Sequence, residues 1–130
     1  MSVYNVLIAE DSKPILRNIK SLLEASGLPV TVVATASNGD EAVAAFQLQP
    51  IDILLTDIRM PKMDGLTLIE RLKQLQPGLK TVLISGYSDF EYTRKAITLQ
   101  VDDYLLKPVN KNDFAEVMDR IFKKLHRSHD

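Results

Sequence analysis

The sequence predicts a three-layer α/β fold: a five-stranded parallel sheet with helices on both faces. Three observations carry that prediction. Short runs rich in β-branched residues alternate with amphipathic stretches of helical period along the whole chain. Several of the runs are apolar almost throughout, as strands buried on both faces are. Turn residues punctuate most of the joins. Alternation of this kind closes into a parallel sheet, because each right-handed crossover lays its helix against a sheet face.

Taken in order, Tyr4 to Ala9 reads as the first strand. A helix from about Lys13 to Ser26 follows, with Ile15, Ile19, Leu22 and Leu23 on one face. Ser12 is its expected N-cap, Pro14 sits in the tolerant first turn, and Gly27 stops it. Val30 to Ala36 is the second strand, Ser37-Asn38-Gly39 a turn, and Asp40 to Gln47 a short helix burying Ala42, Val43 and Phe46. Pro50 ends that helix and Asp52 to Thr56 is the third strand. A helix from about Gly65 to Leu75 is closed by Pro77-Gly78, and Lys80 to Ile84 is the fourth strand. A helix from about Asp89 to Leu99 leads to the fifth strand, Asp103 to Leu106. The last helix, about Lys111 to Leu125, places Phe114, Val117, Met118, Ile121 and Leu125 at helical spacing. No internal repeat, linker or low-complexity tract interrupts this series. The chain therefore reads as one domain over residues 1–130, with its core from about 4 to 125. The pattern leaves the strand order open.

Composition narrows the function. The 130 residues are 45% hydrophobic and 25% charged, an ordinary globular balance that needs no staples. The absence of cysteine excludes disulfide scaffolds, thiolate zinc sites, iron–sulfur clusters and cysteine nucleophiles. His126 and His129, the only histidines, lie in the last five residues, which argues against histidine triads and His-rich metal sites. Sixteen basic against seventeen acidic residues leave a net charge of −1, so direct nucleic-acid contact is not expected. No apolar run approaches the length of a bilayer span. The start lacks a basic n-region, and its apolar stretch is broken by Glu10 and Asp11, which argues against a signal peptide. A cytoplasmic setting is expected.

The chemistry gathers at one edge of the sheet. Glu10 and Asp11 follow the first strand, Asp57 the third, Ser85 the fourth and Lys107 the fifth. All lie at carboxyl ends of strands, the edge at which open parallel sheets bind ligands. Singly, each has an ordinary structural use: acidic residues after strands are caps or turn formers, and a loop serine or lysine needs no special explanation. Coincidence at four strand ends favours a shared site. Three close carboxylates repel, and a hard divalent cation removes that penalty. An oxygen-only ligand set suits Mg²⁺, which keeps several waters and accepts a phosphate oxygen. Mg²⁺, a fixed lysine and a spare carboxylate are the parts of a phosphoryl-transfer site in which Asp57 attacks in line. Ser85 can then donate to an oxygen of the phosphoryl product.

These residues fall in five recognisable pieces. They are Val6-Leu7-Ile8-Ala9-Glu10-Asp11, then Leu55-Thr56-Asp57-Ile58-Arg59-Met60-Pro61, Met63-Asp64-Gly65, Ile84-Ser85-Gly86, and Asp102-Asp103-Tyr104-Leu105-Leu106-Lys107-Pro108. In that order and spacing, the chain resembles the receiver domains of two-component response regulators from about Tyr4 to Leu125. The resemblance implies a (βα)5 flavodoxin-like fold with strand order 2-1-3-4-5. It implies that Asp57 is the phosphoacceptor, and that Glu10, Asp11, Asp57 and the backbone carbonyl of Arg59 hold Mg²⁺. Lys107 pairs with the phosphoryl group, and the Lys107–Pro108 bond is expected to be cis. Ser85 and Tyr104 form the switch pair: Ser85 moves toward the phosphate and Tyr104 rotates into the space it leaves.

The implied partners are a sensor histidine kinase or histidine phosphotransfer protein upstream, and an output domain or protein downstream. A phosphorylation-dependent homodimer is one route to that output. The implied output surface is built from the fourth helix, the fifth strand and the last helix, with Phe90, Tyr92, Asp102 and Tyr104. The stretch from Ile84 to Tyr92 also resembles, less specifically, receivers of regulators with an AraC-type helix-turn-helix output. Bulky Arg59 and Tyr87, flanking the path of attacking water, suggest a slowly hydrolysing phosphoryl group. Lys123, Lys124 and Arg127 read either as the start of a linker or as favourable charge at a helix C-terminus.

A protein of this kind phosphorylates and dephosphorylates only itself and turns over no free substrate, so it is not expected to be an enzyme. Two rivals fit less well. A Mg²⁺-dependent phosphohydrolase of haloacid-dehalogenase-like type carries a second aspartate two residues after its nucleophile, where this chain has Arg59. A flavodoxin-like cofactor carrier needs a phosphate loop after the first strand, where Glu10 and Asp11 would repel the anion.

Overall fold

The computed structural model describes residues 3–86 and 96–129. The strands are β1 (Tyr4–Ala9), β2 (Val30–Ala36), β3 (Ile53–Asp57), β4 (Lys80–Ser85) and β5 (Asp103–Leu106). The helices are α1 (Lys13–Ala25), α2 (Gly39–Leu48), α3 (Gly65–Leu75) and, last, α4 (Lys111–His129). The helix expected from Asp89 to Leu99 lies mostly outside the described residues; within them, residues 96–98 are helical. All neighbouring strands pair in parallel, in the order β2-β1-β3-β4-β5.

Alternation along each strand explains the layering. Val6 and Ile8, Ile53 and Leu55, Val82 and Ile84 face α1 and α4, where Ile19, Leu23, Phe114, Met118 and Ile121 complete one cluster. Leu7 and Ala9, Leu54 and Leu83 face the other way, onto Ala42, Ile58, Leu66, Ile69 and Leu72 from α2, α3 and the loop before α3. A buried leucine of this kind contributes about 2–3 kcal/mol through area removed from water. The two clusters hold the sheet rigid between them, and the loops at its carboxyl edge are set by that rigid base.

Several boundaries differ from the sequence reading. Strands β3 and β4 each run one residue further, so Asp57 and Ser85 end their strands instead of following them; parallel pairing continues through Asp57↔Ile84 and Ser85↔Leu106. Ser12 occupies the N-cap of α1, but its side chain makes no capping bond. Its N–H is drawn instead to Glu10 Oε2, 3.0 Å away. Helix α2 begins at Gly39, inside the expected turn, because Asn38 caps it: Asn38 Oδ1 accepts from the Glu41 N–H at 2.9 Å. Glu41 Oε1 in turn accepts from the N–H and hydroxyl of Ser37, so it reaches back to the residue before the cap instead of closing a capping box on Asn38 itself. Helix α4 continues to His129. Lys124 is not a free linker charge, since its ammonium reaches Asp102 Oδ1 at 3.3 Å and the Asp102 carbonyl at 3.0 Å.

Candidate phosphoryl-transfer site

The order 2-1-3-4-5 places the switch point between β1 and β3, where the chain leaves the sheet in opposite directions. Ala9 pairs with Thr56 across this seam, so the next residues, Glu10 and Asp57, emerge side by side. Glu10 is 2% exposed and Asp57 5% exposed, while Asp11 stands in solvent. Carboxylate oxygens of all three lie within 4.8 Å of one another.

Lys107 comes from the far side of the site. Its N–H donates to the Ser85 carbonyl at 2.7 Å, which extends the β4–β5 ladder past Leu106. The Lys107–Pro108 bond is cis, as the resemblance implied. From there Nζ lies 3.0 Å from Asp57 Oδ2 and 3.2 Å from Glu10 Oε1. Burial works against charge on Lys107, but the hydrogen bond and charge of Asp57, with the charge of Glu10, outweigh it and hold the ammonium above its ordinary pKa. Glu10 is pushed up to about 7, chiefly by burial, with the Asp57 charge adding to it; the Ser12 N–H and Lys107 pull the other way.

Asp57 is held on every side. Oδ1 accepts from the Ile58 N–H at 2.8 Å and Oδ2 faces Lys107. Its carbonyl accepts from buried Thr56 Oγ1 at 2.9 Å. Behind that carbonyl stands Gly65, where a Cβ would be 2.0 Å from the Asp57 oxygen. Thr56 and Gly65 are not marked by the sequence pattern as supports of Asp57. Gly65 leaves one trace: a glycine opens a helix directly after its aspartate cap, a place where nothing about helix formation calls for glycine. Across the site, Ser85 Oγ is hydrogen-bonded to Tyr104 OH. Tyr104 itself packs against the α2–α3 side of the core.

The donor set fits a hard divalent cation. Among the described residues, Glu10 Oε1 is the buried side-chain oxygen without a hydrogen-bond partner; it makes an ion pair with Lys107 that lacks hydrogen-bond alignment. Three carboxylates lie together, two of them facing the one lysine, which leaves uncompensated negative charge that a cation would balance. The acidic cluster can therefore hold a metal ion.

Of the residues assigned in the sequence, Glu10, Asp11, Asp57 and Lys107 are brought together, and Ser85 and Tyr104 are brought together beside them. Arg59 lies exposed in the loop after β3, behind Ile58. Tyr87, Phe90 and Tyr92 lie outside the described residues. Asp102, expected on an output surface, turns inward: its carboxylate accepts from the Thr81 N–H at 2.8 Å and faces Lys73 and Lys124. No described helix is long and apolar enough to cross a membrane.

The sequence model of the response regulator receiver domain matches residues 6–119. The chain belongs to the response regulator receiver family. This receiver is 33% identical over 125 residues to the uncharacterized transcriptional regulatory protein YesN of Bacillus subtilis, covering 96% of the chain and 34% of YesN. It is 30% identical over 123 residues to the transcriptional regulatory protein HptR of Staphylococcus aureus, covering 95% of the chain and 48% of HptR. The receiver thus spans less than half the length of these relatives. Among solved structures, it superimposes on the REC domain of AraT, a response regulator from Geobacillus stearothermophilus, with TM-score 0.93 and 37% identity over 99% of this chain and 100% of that one. A CheY-like receiver from Methanospirillum hungatei gives TM-score 0.83 at 29% identity, covering 97% and 99%.

Proposed function

We propose that this receiver accepts a phosphoryl group on Asp57 from a phosphohistidine of a sensor kinase or phosphotransfer protein, in a Mg²⁺-dependent reaction. The observation that carries the reading is the Asp57 carboxylate itself. It is nearly buried at the end of the central strand, one oxygen fixed by the Ile58 N–H and the other 3.0 Å from the Lys107 ammonium. Glu10, Asp11, Asp57 and the Arg59 carbonyl would hold the ion. When bound, Mg²⁺ supplies positive charge to the phosphoryl oxygens.

An Asp57 oxygen forms the new bond to phosphorus as the P–N bond of the donor breaks, and the imidazole leaves with its electron pair. No general base is needed, because the nucleophile is already a carboxylate. Lys107 then pairs with the phosphoryl group, and Ser85 releases Tyr104 to donate to a phosphoryl oxygen. Tyr104 rotates inward, so a local charge change alters the surface around β5. An apolar cleft of about 430 Å³, lined by Pro14, Ile15, Asn18, Pro108 and Val109 beside Lys107, offers the donor a place to dock. The output is control of a DNA-binding regulator of which this chain is the regulatory part, with AraC-type output favoured by the Ile84 to Tyr92 stretch.

Incubation with acetyl phosphate tests the acceptor. Wild type should gain one phosphoryl group by intact mass only when Mg²⁺ is present, and Asp57→Asn should gain none. Undiminished labelling of Asp57→Asn would overturn the assignment.

A further inference from the structure

The loop between β3 and α3 carries Arg59, and it is seated from outside the site by the start of α2. The seat is steric first. A Cβ on Gly39 would stand 2.4 Å from Met63 Cβ and 2.9 Å from both Cγ and Sδ. Met63 is 9% exposed and belongs to the same core cluster as Ala36 and Ala42. Its outer side-chain atoms can swing away from a new methyl group, but its Cβ is fixed to the backbone, so the loop must move.

Electrostatic attraction between α2 and the loop runs in the same sense. The Glu41 carboxyl in the first turn of α2 is held below its usual range by its two bonds from Ser37, and the charge of Lys62 in the loop adds to this. The loop has little slack. The Gly65 N–H donates to the Ile58 carbonyl at 2.7 Å, closing its two ends, and the Met63 N–H donates to the Pro61 carbonyl at 2.8 Å. Gly65 also stands against the Asp57 carbonyl. Displacement at Met63 therefore passes into residues 59–62 instead of being absorbed at the ends.

We propose that Gly39 is a positioning residue for the metal site: with no side chain at the start of α2, Met63 seats the β3–α3 loop so that the Arg59 carbonyl is aligned with the Glu10, Asp11 and Asp57 carboxylates. The inference rests on the assignment of Mg²⁺ to that cluster. Residues that orient metal ligands without touching the ion typically change affinity 10- to 100-fold when replaced.

Calorimetric titration of Mg²⁺ into the full chain tests it, with melting in chelator as a measure of folding. Gly39→Ala should bind Mg²⁺ about 10-fold more weakly. Gly78→Ala is the control, because a Cβ there meets nothing within 4 Å and should leave binding unchanged. Met63→Ala approaches the same seat from the loop side, and should weaken Mg²⁺ binding even if Gly39→Ala does not fold. A folded Gly39→Ala with wild-type Mg²⁺ affinity overturns the proposal, even if its melting temperature falls, because Gly39 then serves packing alone. Wild-type affinity in Met63→Ala overturns it too. Failure of the wild type to bind Mg²⁺ would instead defeat the metal assignment itself.

Discussion

Ser85 and Tyr104 are the residues through which a charge on Asp57 would reach the surface. Their hydroxyls are hydrogen-bonded to each other, and Ser85 Oγ also donates to the Gly86 carbonyl at 3.3 Å, so movement of Ser85 toward a phosphoryl oxygen would disturb both contacts. The coupling is a single shared partner, which makes it separable from the chemistry. Ser85→Ala should still be phosphorylated by acetyl phosphate, more slowly, while the ring resonances of Tyr104 stay where they were. In the wild type those resonances should shift on phosphorylation. An equal shift in Ser85→Ala would show that Tyr104 moves by another route. The acidic residues, the lysine and the hydroxyl were all legible in the sequence, because each closes a strand at one sheet edge. Thr56 was not, since its work is to hold a backbone carbonyl, and a carbonyl leaves no mark in the side-chain pattern; Gly65 left only the trace of a glycine at a helix start that helix formation does not call for.

At the scale of elements, two aspartates use the same device at the opposite edge of the sheet. Asp52, just before β3, accepts from the Asn5 N–H of β1 at 2.7 Å, and Asp102, just before β5, accepts from the Thr81 N–H of β4 at 2.8 Å. Each carboxylate satisfies a donor at the start of a neighbouring strand. Asp102 also gathers Lys73 from α3 and Lys124 from α4, tying both helices to β5. Burial raises its pKa, but the Thr81 bond and the two lysines overcome this and hold it below the ordinary aspartate range. A folded-state pKa lowered in this way stabilises the fold above the unfolded value, and that stabilisation is lost as pH falls through the folded value. Asp102→Asn should therefore cost about 2 kcal/mol at neutral pH. Denaturant unfolding at stepped pH should show the gap to wild type closing in the acid range below pH 4. A gap independent of pH would mean that charge is not what Asp102 contributes.

Most of the element boundaries could be read from the sequence, because buried strands and amphipathic helices write their period into it. Where the structure departs, a specific bond decides. Glu10 takes the Ser12 N–H in place of a Ser12 cap, and Asn38 with Glu41 starts α2 a residue early. The strand order could not be read from periodicity, which says that a strand is buried but not beside what; it came from resemblance and agrees with the pairing.

For the whole molecule, the question is how a change at one edge would reach a partner. The sheet lies between two apolar clusters, so the proposed switch would act by repacking near β5 instead of by gradual deformation of the sheet. If control of output runs through dimerisation, light-scattering mass should double on adding acetyl phosphate with Mg²⁺ and stay monomeric for Asp57→Asn. A phosphorylated monomer at the same concentration would contradict dimerisation of this domain as the route.

The central claim is the covalent bond on Asp57, and the most direct measurement is chemical trapping of that bond. Borohydride reduces an aspartyl phosphate to homoserine, which peptide mass spectrometry locates by residue. After phosphorylation with Mg²⁺, we expect homoserine at position 57 and nowhere else. Homoserine at another carboxylate, with Asp57 unmodified, would contradict the assignment of the acceptor and with it the roles given to Lys107 and Ser85.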